Sequence, residues 1–93
     1  MRLVSYLDRV VEVPQIKYRA PESPHRQIAA WVRSRIEAGE LSPDDPIPSE
    51  KDLMDLFGVA RTTARRAVAH LRELGLVYTV AGRGTFVKRQ GER

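Results

Sequence analysis

Ninety-three residues without a cysteine make one domain near the small end of what an apolar core can hold together, and they exclude disulfide staples and thiolate metal sites. The longest apolar runs are a few residues, too short for a membrane span or a signal-peptide core, so the expectation is a soluble, cytoplasmic protein. The net charge of +4 is unevenly placed: seven basic and seven acidic residues cancel over 1–48, whereas nine face five over 49–93. Bases gathered on one part of a domain with pI near 10.0 fit a polyanion binder, and on charge alone a merely solubilising surface fits as well.

Residues 1–22 form an arm that the sequence leaves open. Leu3, Leu7, Val10 and Val11 recur at helical spacing, while "VVEVPQIKY" (10–18) reads as extended chain broken by Pro14. Packing on the domain, a dimer contact and partial disorder all remain open. "SPHRQIAAWVRSRIEAGEL" (23–41) predicts a first helix, with Ser23 as N-cap and Pro24 at the first helical position. Ile28, Trp31, Val32 and Ile36 give it one apolar face, and Gly39 ends it. The proline-rich connector "SPDDPIPSE" (42–50) leads to a short second helix. Ser49 and Asp52 there can form a reciprocal capping box, Leu53, Leu56 and Phe57 face inward, and Gly58 closes the helix.

The third helix begins near Arg61, and so short a glycine-containing turn between two helices has the helix-turn-helix shape. At 100° per residue Ala64, Ala67, Val68, Leu71 and Leu74 share the core side. Thr62, Arg65, Arg66, Ala69 and Glu73 lie opposite, with Arg61 and Arg72 at one margin. Along the chain these arginines meet no acidic neighbour between Asp55 and Glu73, and burying them unpaired is prohibitively costly, so they must project outward. Past Gly75 the period changes to two: "LVYTV" (76–80) and "TFVK" (85–88) predict strands joined by the "AGRG" turn (81–84). The expected fold is mainly α with a small β-hairpin, a winged helix-turn-helix over residues 23–88, followed by a tail at 89–93.

Three stretches, "QIAAWVRSRIEAGELSP" (27–43), "IPSEKDLMDLFGVARTTARRAVAHLRELGLV" (47–77) and "GRGTFV" (82–87), resemble the DNA-binding domain of GntR-family bacterial transcription regulators. The resemblance covers roughly residues 25–88 and rests on three motifs in order. It implies a regulator, more often a repressor, that binds double-stranded DNA as a homodimer on a palindromic operator at the bacterial nucleoid. The third helix would enter the major groove and the wing the minor groove. Carried over by motif, the DNA contacts fall on Lys51, Arg61, Thr62, Thr63, Arg65, Gly82 and Arg83, and Arg66 adds a further phosphate contact. Four positions depart from the family pattern: Ala60 for a Ser or Thr cap, Arg66 for a commonly acidic residue, His25 for a frequent Tyr and Asp44 for a frequent Gly. Family members usually continue into an effector-binding, dimerising domain, and only "KRQGER" (88–93) follows the wing here. A stand-alone reader and a fragment of a longer effector-controlled regulator both remain open. No effector site is expected within this chain, and in a stand-alone reader Leu3, Leu7, Val10 and Val11 are the candidate dimer surface.

Catalysis has little support. His25 and His70 are the only histidines, no nucleophile–base or paired-carboxylate arrangement stands out, and no metal or cofactor is expected. His70 reads as a surface residue at the edge of the third helix. "GRGT" lies in a hairpin with no helix after it, unlike a phosphate-cradling loop. The stronger rival is a winged helix that binds protein, which would call for an apolar or mixed-charge outer face on the third helix.

Overall fold

The computed structural model describes residues 2–6 and 9–90. Its order is β1 (Arg2–Tyr6), β2 (Arg9–Val13), α1 (Pro24–Glu37), α2 (Glu50–Phe57), α3 (Arg61–Glu73), β3 (Val77–Val80) and β4 (Gly84–Val87). Both α1 and α2 pack on α3, and β3–β4 form the antiparallel wing, with Tyr78 opposite Phe86 and Thr79 opposite Thr85. Three helices and a two-stranded wing are the winged helix-turn-helix that the sequence predicts.

The core is contiguous. Ile28 and Val32 of α1, Leu53, Leu56 and Phe57 of α2, and Ala64, Ala67, Val68 and Leu71 of α3 are buried together. Val77 and Val87 close it from the wing, Ile47 from the connector and Val13 from β2. Leu74, expected on this face, is instead 45% exposed. It keeps the helical conformation as the C-cap, its N–H bonded to His70 O at 3.0 Å, but at the end of α3 it borders an open groove with Ala29, Ala30 and Arg33 of α1. On α1, Trp31 and Ile36 are only half-buried at the margin.

Caps explain where the helices begin and end. The Ser49 hydroxyl accepts the Asp52 amide at 3.0 Å, and the Asp52 carboxylate accepts the Ser49 amide at 3.0 Å, so the expected capping box is present. Gly58 closes α2 at φ +66°, a left-handed conformation that a side chain would strain, and this allows the tight turn into α3. Ser23 departs from expectation. It occupies the N-cap position of α1, but its hydroxyl makes no cap bond and lies 3.2 Å from His25 Nδ1. Ala60 leaves the start of α3 without a side-chain cap.

The connector before α2 does more than link helices. Asp44 N–H donates to Val87 O at 2.7 Å, Val87 N–H to Asp45 O at 2.9 Å, and Ile47 N–H to Thr85 O at 2.9 Å. It thereby bridges β4 antiparallel, with Pro46 opposite Phe86, and covers an edge that would otherwise be open to pairing. Asp44 reaches this geometry at φ +69° and accepts the Tyr78 hydroxyl at 2.6 Å, a bond that raises the Tyr78 pKa.

The N-terminal arm resolves into strand, not helix. β1 and β2 pair antiparallel, with Val4 opposite Val11 and Ser5 opposite Val10. Period two turns Val4, Tyr6 and Val11 toward the core and leaves Leu3 and Val10 exposed. Val11 is therefore lost from the candidate dimer surface, and Leu7 lies outside the described residues. Three bonds anchor the hairpin: Arg2 donates to the carbonyls of Asp55 (3.2 Å) and Leu56 at the end of α2, and Trp31 Nε1 donates to Glu12 O at 3.1 Å.

The missing cap on α3 gives a direct stability test. Ala60→Ser supplies an acceptor for the first-turn amides, worth about 1 kcal/mol. For a domain of this size that raises the thermal midpoint by about 4–8 °C, read by circular dichroism.

Candidate nucleic-acid interface

Because Ala64, Ala67, Val68 and Leu71 are turned inward, the outer side of α3 presents Arg61, Thr62, Arg65 and Arg66, all exposed, with Thr63 half-buried beside them. The wing stands next to this row. Arg72 Nη1 donates to Thr79 Oγ1 at 2.9 Å, and Thr79 Oγ1 lies 3.0 Å from Thr85 Oγ1, so a polar strut ties α3 to both wing strands. At the wing tip Gly82 adopts φ +76°, which turns the chain tightly, and Arg83 follows it exposed.

Lys51, Arg61 and Arg83 line one open cleft of about 570 Å³ between the starts of α2 and α3 and the wing, with Gly82 beside it. Arg65 continues the same face along α3 one turn from Arg61, with Thr62 next to Arg61 on the outer side. Arg66 stands apart. It lies on the flank that meets α1, where it is close enough to His25 to lower that residue's pKa.

The structure corrects one expectation about charge. Arg61 and Arg65 have a carboxylate neighbour, supplied not by α3 but by the first residue of α2: Glu50 lies 3.9 Å from Arg61 Nη1 and 3.5 Å from Arg65 Nε. Both separations exceed a good charge-assisted hydrogen bond, and the two guanidinium groups are 59% and 63% exposed. One carboxylate shared at such distances on a wet surface holds them weakly, on the order of 1 kcal/mol or less. Lys51 likewise has Asp55 at 3.3 Å, an exposed i,i+4 pair. Arg66 makes no ion pair with a carboxylate among the described residues.

Sequence reasoning also missed residues that only the fold brings in. Tyr6 of β1 reaches the rim of the cleft across more than forty positions of chain. His70 is not a plain surface residue: its side chain is 20% exposed and meets the His25 ring edge-on at 6.2 Å, with Glu73 at 3.5 Å. Burial, Arg66, His70 and Arg26 hold His25 below the usual imidazole pKa, against a smaller opposing effect of Glu22. Among the described residues no helix is long and apolar enough to cross a membrane, and no group of three or more His, Cys, Asp or Glu could hold a metal ion.

Residues 24–87 match the family model described as bacterial regulatory proteins, gntR family. The HTH-type transcriptional repressor NagR of Bacillus subtilis is 40% identical over 74 residues, 80% of this chain and 30% of that protein. The mannosyl-D-glycerate transport/metabolism system repressor MngR of Escherichia coli is 42% identical over 66 residues, 71% of this chain and 28% of its own length. The chain thus spans under a third of these two relatives. Among solved structures, AraR(DBD) in complex with operator ORE1 superposes with a TM-score of 0.65 at 44% identity, covering 68% of this chain and 77% of that one. YtrA from Sulfolobus acidocaldarius, a GntR-family transcription factor, gives 0.73 at 30% identity, covering 82% of this chain and 80% of its own. With a match running from the start of α1 to the end of β4, the chain belongs to the gntR family of bacterial regulatory proteins.

Proposed function

We propose that this domain is the DNA-reading module of a transcriptional repressor, binding a palindromic operator as a homodimer at the bacterial nucleoid. One observation carries the reading: a row of exposed arginines on a helix whose other side is locked into the core, flanked by a strutted wing with Arg83 at its tip. The relatives support it, since NagR and MngR are named repressors and the AraR domain is described bound to its operator.

The mechanism follows from which groups are rigid and which are charged. With α3 in the major groove, Arg61 and Arg65 reach base edges from its N-terminal half, where a guanidinium bonds guanine N7 and O6 together. Each such pair is worth about 1–3 kcal/mol of base discrimination. Thr62 and Thr63 donate to phosphate at the uncapped start of α3, helped by the free first-turn amides. Lys51 contacts the backbone, and Gly82 lets the wing approach closely enough for Arg83 to enter a narrow minor groove. Repression then comes from occupancy: a bound dimer blocks polymerase without needing a surface to recruit it. Glu50 has two uses in this scheme. In the free protein it eases the repulsion between Arg61 and Arg65, and on DNA it resists phosphate in the place where a base should sit.

Selecting duplexes from a random pool, with the mass of the complex measured alongside, is expected to return a palindrome holding two chains. An asymmetric site with one chain overturns the dimer. On the selected duplex Arg65→Ala should lower the specific-to-nonspecific affinity ratio by about tenfold or more, as expected for a lost bidentate contact. Lys51→Ala should weaken all sequences alike and reduce the log–log salt slope by about 0.9. If neither substitution changes ratio or slope, the assigned roles are wrong. Glu50→Gln should tighten binding to random duplex while narrowing the preference for the selected site, and titrations on the two duplexes measure both.

A further inference from the structure

The outer side of α3 has two flanks, and only one belongs to the wing. Arg72 leans to the wing through Thr79, while Arg66 and His70 lie on the opposite flank, against the start of α1. A helix lying in a major groove about 12 Å wide runs between two phosphate ridges. When the wing crosses one ridge to place Arg83 in the adjacent minor groove, the flank carrying His25 and Arg66 is turned toward the other. We propose that His25 and Arg66 form a second phosphate-binding flank, on the side of α3 away from the wing, and that protonation of His25 tightens DNA binding there.

The surroundings of His25 suit that role. From its own helix it faces Arg26, and Glu22 stands just before that helix. From α3 it faces Arg66 and the edge of the His70 ring. The Ser23 hydroxyl lies 3.2 Å from Nδ1. Glu73, the nearest carboxylate on α3, is engaged with His70 at 3.5 Å. Burial first, and then the positive neighbours against the smaller pull of Glu22, hold the His25 pKa below that of an ordinary imidazole in the free protein. A phosphate diester, always ionised, reverses the sign of that environment when it docks beside Arg66. The imidazolium is then favoured in the complex and disfavoured in the free protein, so binding takes up a proton. Affinity must rise as the pH falls through the imidazole range.

This inference rests on the DNA-binding reading, and the test separates the two. A fluorescein-labelled random-sequence duplex of about 25 base pairs serves as probe, because phosphate contacts carry no sequence information. Anisotropy titrations at pH 7.5 and 5.5, at fixed ionic strength, should show wild-type affinity rising about three- to tenfold at the lower pH, a tenfold rise matching one pKa unit of differential protonation. His25→Gln should flatten that rise, and His70→Gln should keep it. Arg66→Ala should reduce the log–log salt slope by about 0.9 at pH 5.5. A pH-independent wild type, a rise that survives His25→Gln, or a slope untouched by Arg66→Ala overturns the proposal while leaving DNA binding intact. Failure of the wild type to bind duplex at either pH sinks the DNA-binding reading itself.

Discussion

Everything on the outer surface of this domain depends on how α3 is seated. Ala64 and Ala67 are fully buried, and their small side chains let α1 and α2 come close, while Leu71 is buried with them in the core. Such close packing leaves the helix one rotational setting, because a turn about its axis would push guanidinium groups into the core at a cost no interaction there offsets. The rotation that buries Ala64, Ala67, Val68 and Leu71 therefore also decides that Arg61, Arg65 and Arg66 point away. Packing inside and charge outside are two consequences of a single helical phase.

The wing owes its position to polar links as well as to a small apolar root. Two valines, Val77 and Val87, root it in the core, and its strands are held by the Arg72–Thr79–Thr85 chain and by the connector paired along β4. Asp44 takes a conformation usually left to glycine, and its carboxylate meets the Tyr78 hydroxyl across the wing. A side chain that appears out of place in the family pattern thus contributes a bond that glycine could not make. Rigidity matters here because a reading surface gains specificity only if its donors are already placed when the partner arrives.

Charge on the interface is held in reserve. Glu50 stands between Arg61 and Arg65, and Asp55 beside Lys51, close enough to ease repulsion and far enough to let go. Exposed pairs of this kind are weak, so exchanging a carboxylate for the phosphate or base edge of the proposed DNA partner costs little. The opposite flank is organised differently. There the start of α1 brings His25 near Arg66, and burial first, then that positive charge, lowers the imidazole pKa against a smaller effect of Glu22. The N-terminal hairpin adds a third kind of support: Arg2 satisfies carbonyls at the end of α2, where a helix always leaves acceptors over, and Tyr6 reaches the rim of the cleft.

Local patterns by themselves determined the three helices, the capping box at Ser49 and Asp52, the glycine stop at Gly58, the wing and the outward row of arginines. Each of these is set by neighbours within a few residues, through helical or strand period and through cap chemistry. The tertiary structure alone decided the rest. The arm could be read at either period until pairing with Val13 buried and Trp31 bonded to Glu12 selected strand. Leu74 keeps its helical phase, but at the end of α3 no other element covers it fully. Glu50 beside Arg61 and Arg65, Tyr6 at the cleft and His70 against His25 are meetings between separate elements. Periodicity reports which way a side chain points from its own helix or strand, and it carries no information about what another element brings to meet it.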